Sequence, residues 1–154
     1  MKKILFTLLI GGLVLLTSCG HQTIKTKDEA VKFLESNNFY DEGAHVYGQT
    51  SGGKGITTGF GIKFSGGNAI LDSGESLPYT VEEQEHSSYC GALGYVIKFC
   101  GSQRYAYGGC IECILCSGLG PDGNKTKNGP SLSVQGTYIK AHFSYISKGA
   151  ITKK

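Results

Sequence analysis

Five of the six cysteines in this 154-residue chain lie in one segment, and thiols are the most reactive side chains it contains. They are Cys90, Cys100, Cys110, Cys113 and Cys116. Cysteines this close together can do three kinds of chemistry. Their thiolates can bind zinc or an iron–sulfur cluster, a dithiol pair can exchange with other disulfides, and pairs can form structural disulfide bonds. We expect one of these three to account for the cluster.

A zinc site is the first interpretation. Residues 113–120 read CILCSGLG and follow the pattern CxxCxGxG. They resemble one zinc-binding unit of the cysteine-rich domain of J-domain co-chaperones, in which two units supply four thiolates to each zinc. This chain has only one complete unit, which supplies Cys113 and Cys116. A zinc site would therefore also need Cys110 as a third ligand. Cys90 or Cys100 would then be the fourth ligand.

Redox chemistry and an iron–sulfur cluster are the second interpretation. Residues 110–113 and 113–116 form two overlapping CxxC pairs, the spacing used in thiol–disulfide exchange. A thioredoxin-like site needs a helix after the pair, and the glycines within residues 118–123 disfavour one. Gly120 stands where a ferredoxin-type run has its fourth cysteine. No histidine follows either pair, which excludes c-type haem attachment.

Structural disulfide bonds are the third interpretation and the favoured one. The N-terminal residues carry the features of an export signal, and disulfides persist in the oxidising compartments outside the cytoplasm. A two-residue hairpin turn at residues 101–102 would place Cys90 directly opposite Cys113, within bridging distance. A bulge at residues 108–109 would change that register. The sequence therefore predicts that Cys90 bonds within residues 110–116, with Cys113 as the specific partner. Five thiols leave one unpaired.

No other motif in the sequence predicts a catalytic or ligand-binding site. Residues 52–55 lack the Ser or Thr that follows the lysine of a phosphate-binding loop. Residues 122–133 begin like a calcium-binding loop but lack its glycine and its final glutamate. His45, His86 and His142 are scattered, and no nucleophile motif accompanies them. We therefore predict a non-catalytic protein without a cofactor, unless the cysteines bind zinc.

The elements that would position the cysteines are one helix followed by strands. Thr26 and Glu29 match a capping box at the start of a short amphipathic helix over residues 27–37. Strands are predicted at residues 45–49, 56–64, 69–72, 92–99 and 139–145, a solvated loop or helical turn at 73–89, and a surface loop at 120–130. This pattern predicts an α+β fold, in which the helix is followed by an antiparallel, glycine-punctuated β-sheet or small open barrel.

The N-terminus carries the features of an export signal. Lys2 and Lys3 precede an apolar run over residues 4–16, which is too short to span a membrane. The run ends in Leu-Thr-Ser-Cys19, which resembles the lipobox of bacterial lipoproteins, particularly those of the Bacteroidetes. The resemblance implies cleavage after residue 18, diacylglycerol on the Cys19 thiol and acylation of the new amine. We therefore predict a signal peptide over residues 1–18, a lipidated tether over residues 19–26 and one globular domain over residues 27–154.

Charge and the residues after Cys19 narrow the expected partners and location. Residues 1–18 hold two of the 15 basic residues and none of the 12 acidic ones, so without them the charge falls from +3 to about +1. That balance disfavours nucleic acid as a partner. The expected partners are the lipid bilayer, through Cys19, and another envelope protein. Gly20, and the lack of an acidic cluster directly after Cys19, favour the outer membrane, facing the periplasm.

The predicted function is that of a membrane-anchored envelope lipoprotein, a non-catalytic binding or structural module stabilised by disulfide bonds. The alternative is a periplasmic zinc-knuckle or dithiol protein that is accessory to protein folding or redox chemistry.

Overall fold

The described part of the chain consists mostly of antiparallel β-strands. The computed structural model describes residues 22–47, 55–57, 59–136, 139–144 and 151–153. The predicted signal peptide at residues 1–18 and the predicted lipid site at Cys19 lie outside these residues. In chain order the described elements are α1 (Lys27–Ser36), β1 (Asn37–Asp41), β2 (His45–Tyr47), β3 (Gly55–Thr57), β4 (Phe60–Ser65), β5 (Asn68–Leu71), β6 (Ser76–Gln84), β7 (Gly94–Cys100), α2 (Gln103–Ala106), β8 (Cys110–Cys116), β9 (Ser131–Gly136), β10 (Ile139–Ser144) and β11 (Ile151–Lys153).

Helix α1 forms where the capping pattern predicts it. The Thr26 hydroxyl accepts a hydrogen bond from the Glu29 amide at 3.2 Å. The Glu29 carboxylate in turn accepts one from the Lys25 amide at 2.7 Å. These bonds satisfy amides that a helix N-terminus leaves unpaired. The buried face of the helix consists of Ala30, Phe33 and Leu34, with Val31 partly buried beside them.

One strongly bent sheet surrounds the hydrophobic core. Within the described residues its strand order is β11-β1-β4-β5-β6-β7-β8-β9-β10-β2-β3, and neighbouring strands are antiparallel. The bend brings β1 and β10 together, although they are far apart in that order. The rings of Phe39 on β1 and Phe143 on β10 are 5.8 Å apart between centroids. Helix α1 packs against β1, β4 and β6.

Strand β6 lies where a solvated loop or helical turn was predicted, and that prediction is wrong. The strand pairs with β5 through residues 76–78 and with β7 through residues 79–84. Alternate side chains Leu77, Tyr79 and Val81 are at least partly buried, whereas the positions between them are exposed. The exposed face tolerates polar residues, which hid the period-two pattern in the sequence.

The other strand predictions hold in part. The strand predicted at residues 56–64 is divided into β3 and β4, and the one predicted at residues 92–99 is β7, shifted by up to two residues. The surface loop predicted at residues 120–130 is confirmed. The amide and hydroxyl of Thr126 both donate hydrogen bonds to the Gly118 carbonyl, at 2.8 and 3.2 Å.

No helix in the described ranges is long and apolar enough to cross a membrane.

Candidate functional site

Strand β8 distributes its three cysteines over both faces of the sheet. Successive side chains of a strand point to opposite faces, so residues three apart in sequence do not share one. Cys110 and Cys116 lie on the outer face, and Cys113 lies in the core on the inner face. Neither overlapping CxxC pair can therefore close a disulfide bond within β8, because the two sulfurs of each pair are on opposite sides of the sheet.

The Cys100–Cys110 disulfide joins the ends of β7 and β8. The two residues are directly opposed in the antiparallel register, and both are exposed. The predicted two-residue turn at residues 101–102 is wrong, since the connection runs over residues 101–109 and contains α2. The Ser102 hydroxyl caps that helix by accepting a hydrogen bond from the Tyr105 amide at 3.1 Å.

The second disulfide joins Cys90 to Cys116, with their Cα atoms 5.3 Å apart. The predicted partner Cys113 is wrong, and the length of the turn explains why. Because residues 101–109 form the connection, Cys113 pairs with Ile97 and faces the core. Cys90 lies in the loop before β7 and reaches the far end of β8. The broader prediction, a bond from Cys90 to a cysteine within residues 110–116, is confirmed.

Cys113 is the remaining free thiol among the described cysteines. Its side chain is fully buried. Burial, with a smaller contribution from the Glu112 charge, raises the pKa of the Cys113 thiol far above its ordinary value. The thiol is therefore neutral and inaccessible, which are poor properties for a nucleophile or a metal ligand.

The two disulfides also bear on the zinc interpretation. Cys90, Cys100, Cys110 and Cys116 are all bonded, so they offer no thiolates in this state. Among the residues that the structure describes, no group of three or more His, Cys, Asp or Glu side chains is arranged to hold a metal ion.

The Cys90–Cys116 bond holds the loop of residues 85–93 against the end of β8. Gly94, at the start of β7, allows this close approach, because a Cβ atom there would lie 2.9 Å from the Cys90 sulfur. The loop thereby brings Tyr89 over the outer face of β9. No local sequence signal points to Tyr89, since its position depends on how this loop packs.

Tyr89 and Ser133 are joined by a hydrogen bond of 2.7 Å between their hydroxyl oxygens. Ser133, on β9, is only 4% exposed, whereas Tyr89 is 50% exposed. The phenol is therefore anchored at its hydroxyl end, while half of its surface faces solvent. Three tyrosines are exposed to this extent among the described residues, and Tyr89 is the one that lines a cleft on β9 and β10.

The cleft beside Tyr89 has a volume of about 300 Å³, and we call it the Tyr89 cleft. It is formed by residues of β9 and β10, by Tyr89 from the loop before β7, and by the end of β1 with the turn after it. It is lined by Asp41, Gly43, Tyr89, Ser133, Val134, Gln135, Lys140 and Ala141. Gln135 and Lys140 are directly opposed on the two strands, so their side chains emerge side by side. The cleft combines an aromatic ring with hydroxyl, amide, carboxylate and ammonium groups.

A separate group of polar contacts anchors α2 and is structural. The Tyr105 side chain is buried, and its hydroxyl donates a hydrogen bond to the Asp72 carboxylate. The Glu75 carboxylate accepts hydrogen bonds from the Ser102 hydroxyl at 2.9 Å and the Gln103 amide at 2.7 Å. Together these bonds tie the turn between β7 and β8 to the turn between β5 and β6.

The hydrogen bonds that anchor α2 also change the pKa of Glu75. Partial burial acts to raise that pKa, but hydrogen bonds outweigh it. The Ser73 hydroxyl, the Gln103 amide and the Ser102 hydroxyl all donate to the carboxylate and together hold its pKa below the ordinary value of 4.5. The ionised form of Glu75 is therefore the form that stabilises the folded protein.

The three histidines noted in the sequence lie in different places. His86 is exposed in the loop before β7, and His45 belongs to β2. The register of β9 and β10 places His142 opposite Ser133. The absence of enzymatic activity stays a prediction.

Residues 113–116, which begin the CxxCxGxG pattern, belong to β8, and Gly118 follows in the next loop. A Cβ atom at Gly118, whose φ is +77°, would lie 2.8 Å from the Pro130 nitrogen, so this glycine permits the loop to pack.

No protein-family model, curated protein or solved structure is significantly similar to this chain.

Proposed function

We propose that this chain is a bacterial envelope lipoprotein, held to the membrane through Cys19, whose small α+β domain is a non-catalytic binding module. One combination of features carries the proposal: a lipobox-like N-terminus precedes a domain with two disulfide bonds. Disulfides persist in oxidising compartments outside the cytoplasm. A lipobox directs a protein to such a compartment, so the two features support the same location.

The way the N-terminal segment meets the domain supports a short membrane link. Ile24 is fully buried, and its amide donates a hydrogen bond to the Ser117 carbonyl at 2.9 Å. This contact supports a domain that begins before α1 and a membrane link shorter than the tether predicted over residues 19–26. From Cys19 to Ile24 the chain can extend roughly 17 Å at 3.3–3.6 Å per residue. A lipid on Cys19 would hold the Ser117 end of the domain near the bilayer, facing the periplasm.

A binding role is supported by the Tyr89 cleft. Its aromatic and polar groups are set on two paired strands and on a loop that a disulfide holds in place. Such a surface is suited to recognition, because little ordering is needed when a partner binds. Another envelope protein or a small envelope component would be its partner.

Replacement of Cys19 tests the anchoring directly. In cells fed a palmitate analogue, wild-type protein should carry the label and fractionate with membranes. Cys19→Ser should lose the label and accumulate as uncleaved precursor or soluble protein. Ser18→Ala is the matched control, because it keeps a small residue before the cysteine and should behave as wild type. Normal processing and membrane fractionation of Cys19→Ser would refute the proposal.

The dithiol alternative has one observation in its favour, which is that both cysteines of the Cys100–Cys110 bond are exposed. An exposed disulfide can exchange with external thiols. A dithiol accessory protein should catalyse the reduction of insulin by dithiothreitol, and Cys100→Ala with Cys110→Ala should abolish that activity. We expect the wild-type protein to show no such catalysis, in keeping with a structural bond.

A further inference from the structure

We propose that the Tyr89 cleft binds one ring of a neutral saccharide, with Tyr89 as the side chain that packs on the sugar. This inference rests on the proposed role as an envelope binding module and names the chemical class of its ligand. Three properties of the cleft carry it: the anchored aromatic ring, the mixture of hydrogen-bonding groups, and the balance of charge.

The aromatic ring is held ready for binding. The Tyr89 hydroxyl is bound to the Ser133 oxygen at 2.7 Å, and the loop that carries it is held by the Cys90–Cys116 bond. Half of the side chain is nevertheless exposed. A tyrosine fixed at one end offers a large apolar surface and loses little conformational entropy on binding. The C–H face of a sugar ring is an apolar surface of the kind that packs on such an aromatic ring.

The polar groups of the cleft match sugar hydroxyls. A hydroxyl both donates and accepts hydrogen bonds, so its ideal partners include both types of group. Gln135 offers an amide with donor and acceptor atoms, and Lys140 offers donors. Asp41 offers carboxylate acceptors, one of which, Oδ1, already accepts a hydrogen bond from the Gly43 amide at 2.9 Å. Gln135 and Lys140 are opposed across β9 and β10 and can therefore reach neighbouring hydroxyls of one ring.

The charge of the cleft favours a neutral ligand. Among the lining residues that the structure describes, Asp41 is the one carboxylate and Lys140 the one ammonium group, so these two charges cancel. Anionic ligands are usually held by clustered cations or helix N-termini, and the described lining has neither. The volume of about 300 Å³ is at the small end of the range for small-molecule sites, which suits a single sugar ring.

Saturation-transfer NMR on the full chain tests this inference. The protein is purified in dodecylphosphocholine, a detergent without a sugar headgroup, and is titrated with D-glucose, D-galactose, N-acetyl-D-glucosamine and D-glucuronate. At least one of the three neutral sugars should bind with a Kd on the order of 1 mM, as expected for a small ligand in a shallow site. Tyr89→Ala should weaken that binding at least about tenfold.

Two further variants separate the role of the ring from a general disturbance. Tyr89→Phe keeps the ring and removes only its bond to Ser133, so it should weaken binding less than Tyr89→Ala does. Tyr107→Ala removes another exposed tyrosine, which is 66% exposed and does not line the cleft, and it should leave binding unchanged.

Three outcomes would overturn the inference: no binding of any of the three neutral sugars, tighter binding of D-glucuronate than of all three, or unchanged binding by Tyr89→Ala. These results are independent of anchoring, because the assay uses purified protein. Lipidated protein that binds no sugar would refute only the saccharide inference. Sugar binding by a chain that carries no lipid would refute only the lipoprotein proposal.

Discussion

The burial of Cys113 separates this thiol from the two disulfides on the other face of the sheet. Thiol–disulfide exchange requires a thiolate that reaches a disulfide sulfur. Cys113 is neutral and lies in the core, while Cys110 and Cys116 are on the outer face. The strand itself therefore prevents this thiol from attacking its neighbours, and the pairing should persist as long as β8 is folded.

Counting thiols tests this arrangement at the level of single residues. When the exported, lipidated wild-type protein is unfolded in guanidinium without reductant, one thiol per chain should react with a thiol reagent. No thiol should react in unfolded Cys113→Ser or in the folded wild-type protein. Cys113→Ser should also lower the free energy of unfolding by about 1–3 kcal/mol, because it buries a hydroxyl in the core. A thiol that reacts rapidly in the folded protein would contradict the buried position of Cys113.

The cap of α1 contributes at the level of the element. The Thr26 hydroxyl accepts a hydrogen bond from the Glu29 amide, and Thr26→Ala would leave that amide without its partner. We expect this substitution to lower the free energy of unfolding by about 0.5–2 kcal/mol, measured by urea denaturation. Thr26→Ser is the matched control, since a serine hydroxyl can accept the same bond. Equal loss of stability in both variants would show that the cap is not the cause.

The attachment of α2 should depend on pH through Glu75. Because the folded-state pKa of Glu75 lies below its ordinary value of 4.5, its contribution to stability is present above that value. The contribution is lost as the pH falls through the lowered pKa of the folded state. Urea denaturation at pH 7 and pH 3 should show a smaller loss of stability on acidification for Glu75→Gln than for wild type. The exposed Glu82→Gln serves as the control and should behave as wild type.

Local signals predicted some elements well, and contacts between distant residues decided the others. The capping pair Thr26 and Glu29 lies within one turn, so α1 could be recognised from a short stretch of sequence. The alternation of Tyr95, Ile97 and Phe99 likewise identified β7. The register of β7 with β8 depended instead on the length of the turn. Residues 101–102 look like a tight turn locally, but the insertion of Tyr105 into the core and its bond to Asp72 favour a longer connection over residues 101–109.

The cysteine site shows the same limit. Disulfide bonding of Cys90 within residues 110–116 could be predicted from the cysteine spacing and the predicted export, whereas the partner of Cys90 depended on the register of β7 and β8. The Tyr89 cleft brings together residues from the turn after β1, a loop before β7, and strands β9 and β10. Side chains that far apart in sequence carry no local pattern, so the cleft could be found only in the folded chain.

At the scale of the whole molecule, the two disulfides stabilise the fold by lowering the conformational entropy of the unfolded chain. They close loops whose ends are 26 and 10 residues apart. The chain-entropy relation gives about 3.5 kcal/mol for the longer loop and about 2.7 kcal/mol for the shorter one. We expect the Cys90→Ala/Cys116→Ala and Cys100→Ala/Cys110→Ala variants each to lose about 2–4 kcal/mol in urea denaturation. Loss of less than about 0.5 kcal/mol in both would contradict a stabilising role.

Mass spectrometry of the membrane-purified protein, digested without reduction, tests the central claim most directly, because it reads anchor and disulfide pairing from one sample. We predict an acylated peptide beginning at Cys19, one linked pair containing Cys90 and Cys116, another containing Cys100 and Cys110, and Cys113 as a free thiol. Unmodified Cys19 still joined to residues 1–18, together with reduced Cys90 and Cys116, would contradict the claim that this is a disulfide-stabilised envelope lipoprotein.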